Sequence, residues 1–354
     1  MPDVLDKCLA DLEARLDPAE ERENLAAWKA FLDGNGDGED IFTPPMRCPA
    51  PAKIDWPRVH INEAQADYGR MVLSQFRVIS ELLAEGTSRR LNVRCNYGTG
   101  ILPSLFGCEM FEMPHETHTL PTARPLGSAD AVKAVVDRGM PDLRDGLGEK
   151  VFTCAERYLA AFERHPKLAE FVELYHPDLQ GPMDVAEVVW GSGIFVAFYD
   201  SPELLRDLLT LITETYIAFM REWYELTGAP PHEPYTGHWY LLQKGRLMIR
   251  NDSLMNLSPQ VYVDFARDFD QRLFDEFGGE GAVHFCGRGD HYIEPMSEMR
   301  GLTGIQMSQP ELNDMETIYR HTVDKGIRLL GFSREAAEAS VEAGRALHGR
   351  VHCT

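Results

Sequence analysis

The sharpest chemical pattern in the chain is His284-Phe285-Cys286-Gly287. In a β-strand, residues i and i+2 point to the same face. An imidazole and a thiol would therefore project together from one strand, and Gly287 would end it. A second thiol, Cys353, lies in the last β-rich segment, Gly349–Cys353. Where parallel strands close into a barrel, their C-terminal ends converge on one mouth, so His284, Cys286 and Cys353 could meet there. One imidazole and two thiolates form a favoured zinc set, and three protein ligands leave a position open for substrate. A thiol bound at that position would be deprotonated and strongly nucleophilic at neutral pH. HxC alone is a weak pattern, however. A buried core thiol beside a satisfied core histidine has the same spacing.

Other polar groups fall where strands should end. Tyr175-His176-Pro177-Asp178-Leu179-Gln180-Gly181-Pro182 offers His176 and Asp178 as acid–base candidates and Gln180 as a substrate contact. The same stretch reads equally well as a capped loop entering a helix. In Arg250-Asn251-Asp252-Ser253, Asp252 is a candidate catalytic or orienting acid, whereas Ser258-Pro259 has the form of a helix N-cap followed by N1 proline. Asn96-Tyr97-Gly98-Thr99-Gly100 could bring Asn96 and Tyr97 to a substrate, or only shape a turn. Gln306, near the end of a later strand, is a further candidate substrate contact, and Ser308 follows that strand. His115-Glu116-Thr117-His118 is not a zinc-protease motif, because its histidines are three apart and not four.

These groups need a scaffold of alternating elements. Residues 1–32 have helical apolar spacing (Leu5, Leu9, Leu12, Leu16; Leu25, Trp28, Leu32), and a Pro-rich arm follows at 43–57. Between them, Asp33–Gly38 imitates the start of a calcium loop, but Pro44 stands where the bidentate Glu belongs. From residue 62 the pattern alternates. Strands are expected at 90–96, 169–176, 246–251, 281–286, 302–307, 326–331 and 349–353, with helices between, the clearest at 202–227. That alternation predicts βαβ units and a parallel sheet. The expected fold is α/β: a (β/α)8 TIM barrel over 62–354 with an N-terminal helical extension at 1–61. GxGxxG and Walker motifs are absent, which removes the usual support for an open nucleotide-binding sheet.

Composition narrows the function. Apolar residues make up 44% and charged residues 26%, as in globular proteins. The formal net charge of −21 repels phosphate backbones, so nucleic acid is not an expected partner. Seven scattered cysteines and an acidic N-terminus without a signal-peptide pattern suit a cytoplasmic protein with free or metal-bound thiols. No apolar run approaches the about 18 residues of a membrane span. A homodimer is compatible with all of this.

In this order, YGTGILPSLFG (97–107), GPMDVAEVVWG (181–191), NDSLMNLSP (251–259), VHFCG (283–287) and GRVHC (349–353) resemble the uroporphyrinogen decarboxylase superfamily. The resemblance implies the (β/α)8 barrel reached above. The Arg-rich segment of true decarboxylases is missing, and Asn96-Tyr97-Gly98 carries no acid where they have one. The HxC pair is similar instead to the zinc-dependent branch, which moves methyl groups between corrinoid proteins and a thiol. By that resemblance His284, Cys286 and Cys353 bind zinc, a corrinoid or corrinoid protein is the methyl donor, and a small thiol is the acceptor. Ser308, with Gln306 and Glu311 nearby, departs from that branch, which often has a Glu there. Two other readings remain. One is a metal-free lyase on a carboxylated substrate, using Asp252 and His176. The other is a non-catalytic barrel that binds a corrinoid or tetrapyrrole.

Overall fold

The computed structural model describes residues 2–35 and 39–353. Part of the calcium-like run, Gly36-Asp37-Gly38, lies outside them. Eight short parallel segments organise the chain: β1 (Ile41–Phe42), β2 (Asn92–Val93), β3 (Glu173–Leu174), β4 (Leu247–Arg250), β5 (Gly281–Phe285), β6 (Leu302–Met307), β7 (Arg328–Phe332) and β8 (Val351–Cys353). Six form one parallel sheet in the order β1-β8-β7-β6-β5-β4. The other two, β2 and β3, pair in parallel with each other. Beyond β3 the chain makes one further parallel bridge, Gln180 to Arg250 of β4. Pro177 lies between β3 and this bridge; lacking an N–H, it cannot sustain a ladder.

The sheet is apolar on both faces, as parallel sheets are. Ile249, Val283, Phe285, Ile305 and Leu329 belong to the main core with the helices. Met248, Ala282 and Leu330 form a second cluster on the opposite face. Helix Pro202–Thr227 shows why the helices form. Leu205, Leu208, Leu209, Ile212, Tyr216, Phe219, Met220 and Trp223 recur at helical spacing and are all buried, with Pro202 in the first turn and Gly228 as C-cap. Burial of each large side chain is worth about 1.5–3 kcal/mol, which outweighs local propensity.

Several expected elements differ. The N-terminal helix is two, Pro2–Arg15 and Pro18–Asp33, because Asp17 caps the second and Pro18 starts it. The strand expected over 90–96 is reduced to Asn92–Val93. The first three residues of that expected over 169–176 belong to helix Pro166–Phe171. Two antiparallel hairpins were not anticipated: Glu109–Phe111 with Thr122–Arg124, and Tyr235–His238 with Leu241–Lys244. Nor is the N-terminal stretch only an arm, since β1 pairs with β8, Ile41 opposite Val351 and Phe42 opposite His352.

The second hairpin lies on the inner face of the sheet. Leu241 and Leu242 pack with Met248, Ala282 and Leu330, and with Trp28 and Phe31 from helix Pro18–Asp33. Its tip is held from the β2 side: Tyr240 N–H donates to Asn92 Oδ1 at 2.9 Å, and Arg90 N–H donates to the Tyr240 carbonyl at 2.8 Å. The Glu173 carboxylate accepts from Gly237 N–H at 2.9 Å.

Candidate metal centre

Strand alternation places His284 on the inner face of β5, with Val283 and Phe285 turned to the helices. Register sets Arg250 and Gln306 beside His284 on the neighbouring strands. Cys286 follows the strand, and the chain then turns at Gly287, where φ is +72°. A Cβ at Gly287 would lie 2.7 Å from the Met255 sulfur, so glycine suits both the conformation and the space.

Asp252, His284 and Cys286 converge, each offering a ligand atom within 4.8 Å of the others. His284 Nε2 stands 3.3 Å from Asp252 Oδ1 and 3.3 Å from Cys286 Sγ. Ligand atoms around a tetrahedral zinc, at bond lengths of about 2.0–2.3 Å, lie about 3.3–3.7 Å apart. One oxygen, one nitrogen and one sulfur this close together form a group able to hold a metal ion. Burial resists ionisation of Asp252, but the hydrogen bond and charge of His284 outweigh it and hold the carboxyl below its ordinary value. Burial pushes the Cys286 thiol up, with Ser308 opposing and Asp252 reinforcing the rise. The Ser308 hydroxyl lies 3.4 Å from Cys286 Sγ, at the position the resemblance marks as a departure.

Asp184 positions Asp252. Fully buried, its carboxylate accepts from the N–H of Asp252 at 2.6 Å, the N–H of Ser253 at 2.9 Å and the Gln180 amide at 3.2 Å. Asp252 Oδ1 in turn accepts from Cys286 N–H at 3.1 Å, which ties both strand ends together. At Gly181 a Cβ would stand 2.1 Å from Asn251 Oδ1, so only glycine lets the segment after β3 approach β4 this closely.

Cys353 is not brought to this group. His352 faces the inner cluster, ring to ring with Trp28 and Phe42, so Cys353 takes the opposite face and is buried in the helix-side core. There it feels Arg334 and Glu338, and burial pushes its thiol up to about 11. Among the described residues, the group that converges with His284 and Cys286 is completed by the Asp252 carboxylate and does not include Cys353. The alternation of a pleated strand is the physical reason, since a residue beside the inward His352 must turn outward.

The remaining predicted residues divide. Gln180 and Gln306 lie at the site through Asp184 and His284. Asp178 is buried between two guanidiniums, Arg94 and Arg250, which overcome burial and keep its carboxyl low. His176 is buried, with Nδ1 at 2.9 Å from the Pro177 carbonyl and Nε2 accepting from Met248 N–H at 3.3 Å. Burial holds its pKa down, against the Pro177 carbonyl and Asp178. Tyr97 is a core side chain near Cys95 and Cys154, and the Asn96 carbonyl accepts from Gln65.

Asp270 adds a pH dependence. It accepts from Asn251 Nδ2 at 2.6 Å, yet burial pushes its carboxyl up to about 7 from 3.8. Glu173 is likewise pushed up to about 7 by burial, against the Gly237 N–H and Arg90. Between about pH 4 and 7 the folded state keeps protons that the unfolded chain has released, so this contribution to stability is lost as pH rises through that window. Asp270→Asn is therefore expected to melt above the parent near pH 8 and within about 2 °C of it near pH 5, read by thermal unfolding at both values.

No protein-family model matches the chain, and no curated protein matches it. Among solved structures, a methyltransferase from Methanosarcina mazei superposes over 92% of this chain and 90% of its own, with a TM-score of 0.57 and 17% sequence identity. The two proteins share a fold. Among the described residues, no helix is long and apolar enough to cross a membrane.

Proposed function

We propose that the chain is a zinc-dependent methyltransferase with a (β/α)8 barrel, its metal held by Asp252, His284 and Cys286. The convergence of these three donor atoms at strand C-terminal ends is the observation that carries this reading. The strand order supports the barrel. Neighbours run β4 to β8 and then β1, and the Gln180–Arg250 bridge leads from β4 towards β3 and β2. Contact between β1 and β2 would complete the ring. Arg47, following β1, already donates to the carbonyls of Thr87 and Arg89, just before β2, at 2.6 and 2.7 Å.

Bound zinc would supply Lewis acidity that lowers the pKa of a thiol substrate. The chain's own residues do the rest. Asp184 fixes the turn that carries Asp252, and Asp252 in turn is fixed by Cys286 N–H. Gln306 and Arg250 flank His284 and offer polar contacts to a bound substrate. A methylcorrinoid as donor and a small thiol as acceptor follow from the motif resemblance, and the fold shared with a methyltransferase agrees with it. A cytoplasmic setting belongs to the same reading. The test is methyl transfer from methylcob(III)alamin to a small thiol with one equivalent of Zn(II). Loss of methylcobalamin absorbance above the protein-free rate is expected, and a rate equal to that background contradicts the proposal.

A further inference from the structure

Trp239 and Tyr240 form the tip of hairpin 235–244, and both have left-handed backbone, with φ of +46° and +62°. Two-residue hairpin turns of this kind normally take Asn-Gly or Gly-Gly, and each bulky residue here is strained in this conformation. Such strain persists only where surrounding contacts enforce it. Here the Asn92 and Arg90 bonds clamp the tip. They deliver the indole of Trp239 into the site. Its ring stands 5.0 Å from the His284 ring at 80°, and the Arg250 guanidinium lies 3.7 Å from its centroid.

Metal-binding histidines usually donate the second ring nitrogen to a carboxylate or carbonyl, which fixes the ring. His284 Nδ1 is buried and has no hydrogen-bond partner. Arg250 Nε is also buried and unpartnered. Asp178 holds Arg250 Nη1 at 3.0 Å, and on the hairpin side both side chains meet the indole of Trp239. Edge-to-face ring contacts and cation–π contacts are directional and favour one rotamer of each partner.

We infer that Trp239 is a positioning residue, and that the strained hairpin tip does for His284 and Arg250 what a carboxylate partner does in other metal sites. The metal half of this inference rests on the proposed zinc site. Titration with Co(II), followed by visible absorption, tests it without an activity assay. Trp239→Ala and Trp239→Leu are each expected to weaken Co(II) binding by about 10-fold and to alter the ligand-field bands, while Trp239→Phe stays within about 3-fold of the parent. Unchanged affinity and spectrum in Trp239→Leu, which keeps bulk without a ring, would overturn the inference. A parent protein that takes up no Co(II) would overturn the zinc reading instead. The metal-free crystal structure of Trp239→Leu then decides the positioning role. Turned His284 and displaced Arg250 side chains support it, and unmoved ones refute it.

Discussion

Cys286→Ala is expected to weaken Zn(II) binding by at least about 100-fold, and Asp252→Ala by a similar factor, while Cys353→Ala leaves affinity within about 3-fold. A four-ligand zinc site is worth about 10–16 kcal/mol, so one ligand carries about 3 kcal/mol, or two powers of ten. The contrast among the three variants is the informative part. Cys286 and Asp252 flank His284 Nε2 at 3.3 Å, whereas Cys353 faces Arg334 and Glu338 across the strand. Competition against a chelating dye gives all three constants. A loss in Cys353→Ala equal to that in Cys286→Ala would contradict the geometry.

Glu21→Ala is expected to destabilise the fold by about 3–5 kcal/mol, the cost of leaving a buried cation without its partner. Glu21 is 1% exposed and takes Arg47 in a fork, at 2.5 Å from Nε and 2.9 Å from Nη2, with Arg90 Nη1 at 3.9 Å. Arg47 also holds the carbonyls of Thr87 and Arg89, so the pair staples the N-terminal helices to the entry of β2. For a chain of this length the change amounts to about 4–7 °C in the midpoint of thermal unfolding. A shift below about 1 °C would mean that the N-terminal stretch folds apart from the sheet.

The parallel sheet was legible in the sequence because its strands are continuous apolar runs between strongly periodic helices, and the HxC pair because two residues of one strand share a face. The same alternation that brings His284 and Cys286 together turns Cys353 to the other face of its strand. Alternation is reliable within a strand, but its phase is set by which residue meets the core, and the segment Val351–Cys353 gives no local cue. His352 inside decides it, through Trp28 and Phe42, whose approach depends on the distant N-terminal helix. Asp184 was hidden within a quoted motif, where an acid in the first turn of a helix has an ordinary dipole explanation. Trp239 had no signal at all. His-Trp-Tyr-Leu-Leu lacks the Asn-Gly or Asp-Gly that announces a tight hairpin, because tertiary clamping replaced turn chemistry.

X-ray absorption at the zinc edge, on protein loaded with one equivalent of Zn(II) and free of added thiol, tests the centre most directly. The account predicts a single sulfur at about 2.3 Å with nitrogen and oxygen neighbours at about 2.0–2.2 Å. Two sulfurs at that distance, or zinc bound by oxygen and nitrogen alone, would contradict it.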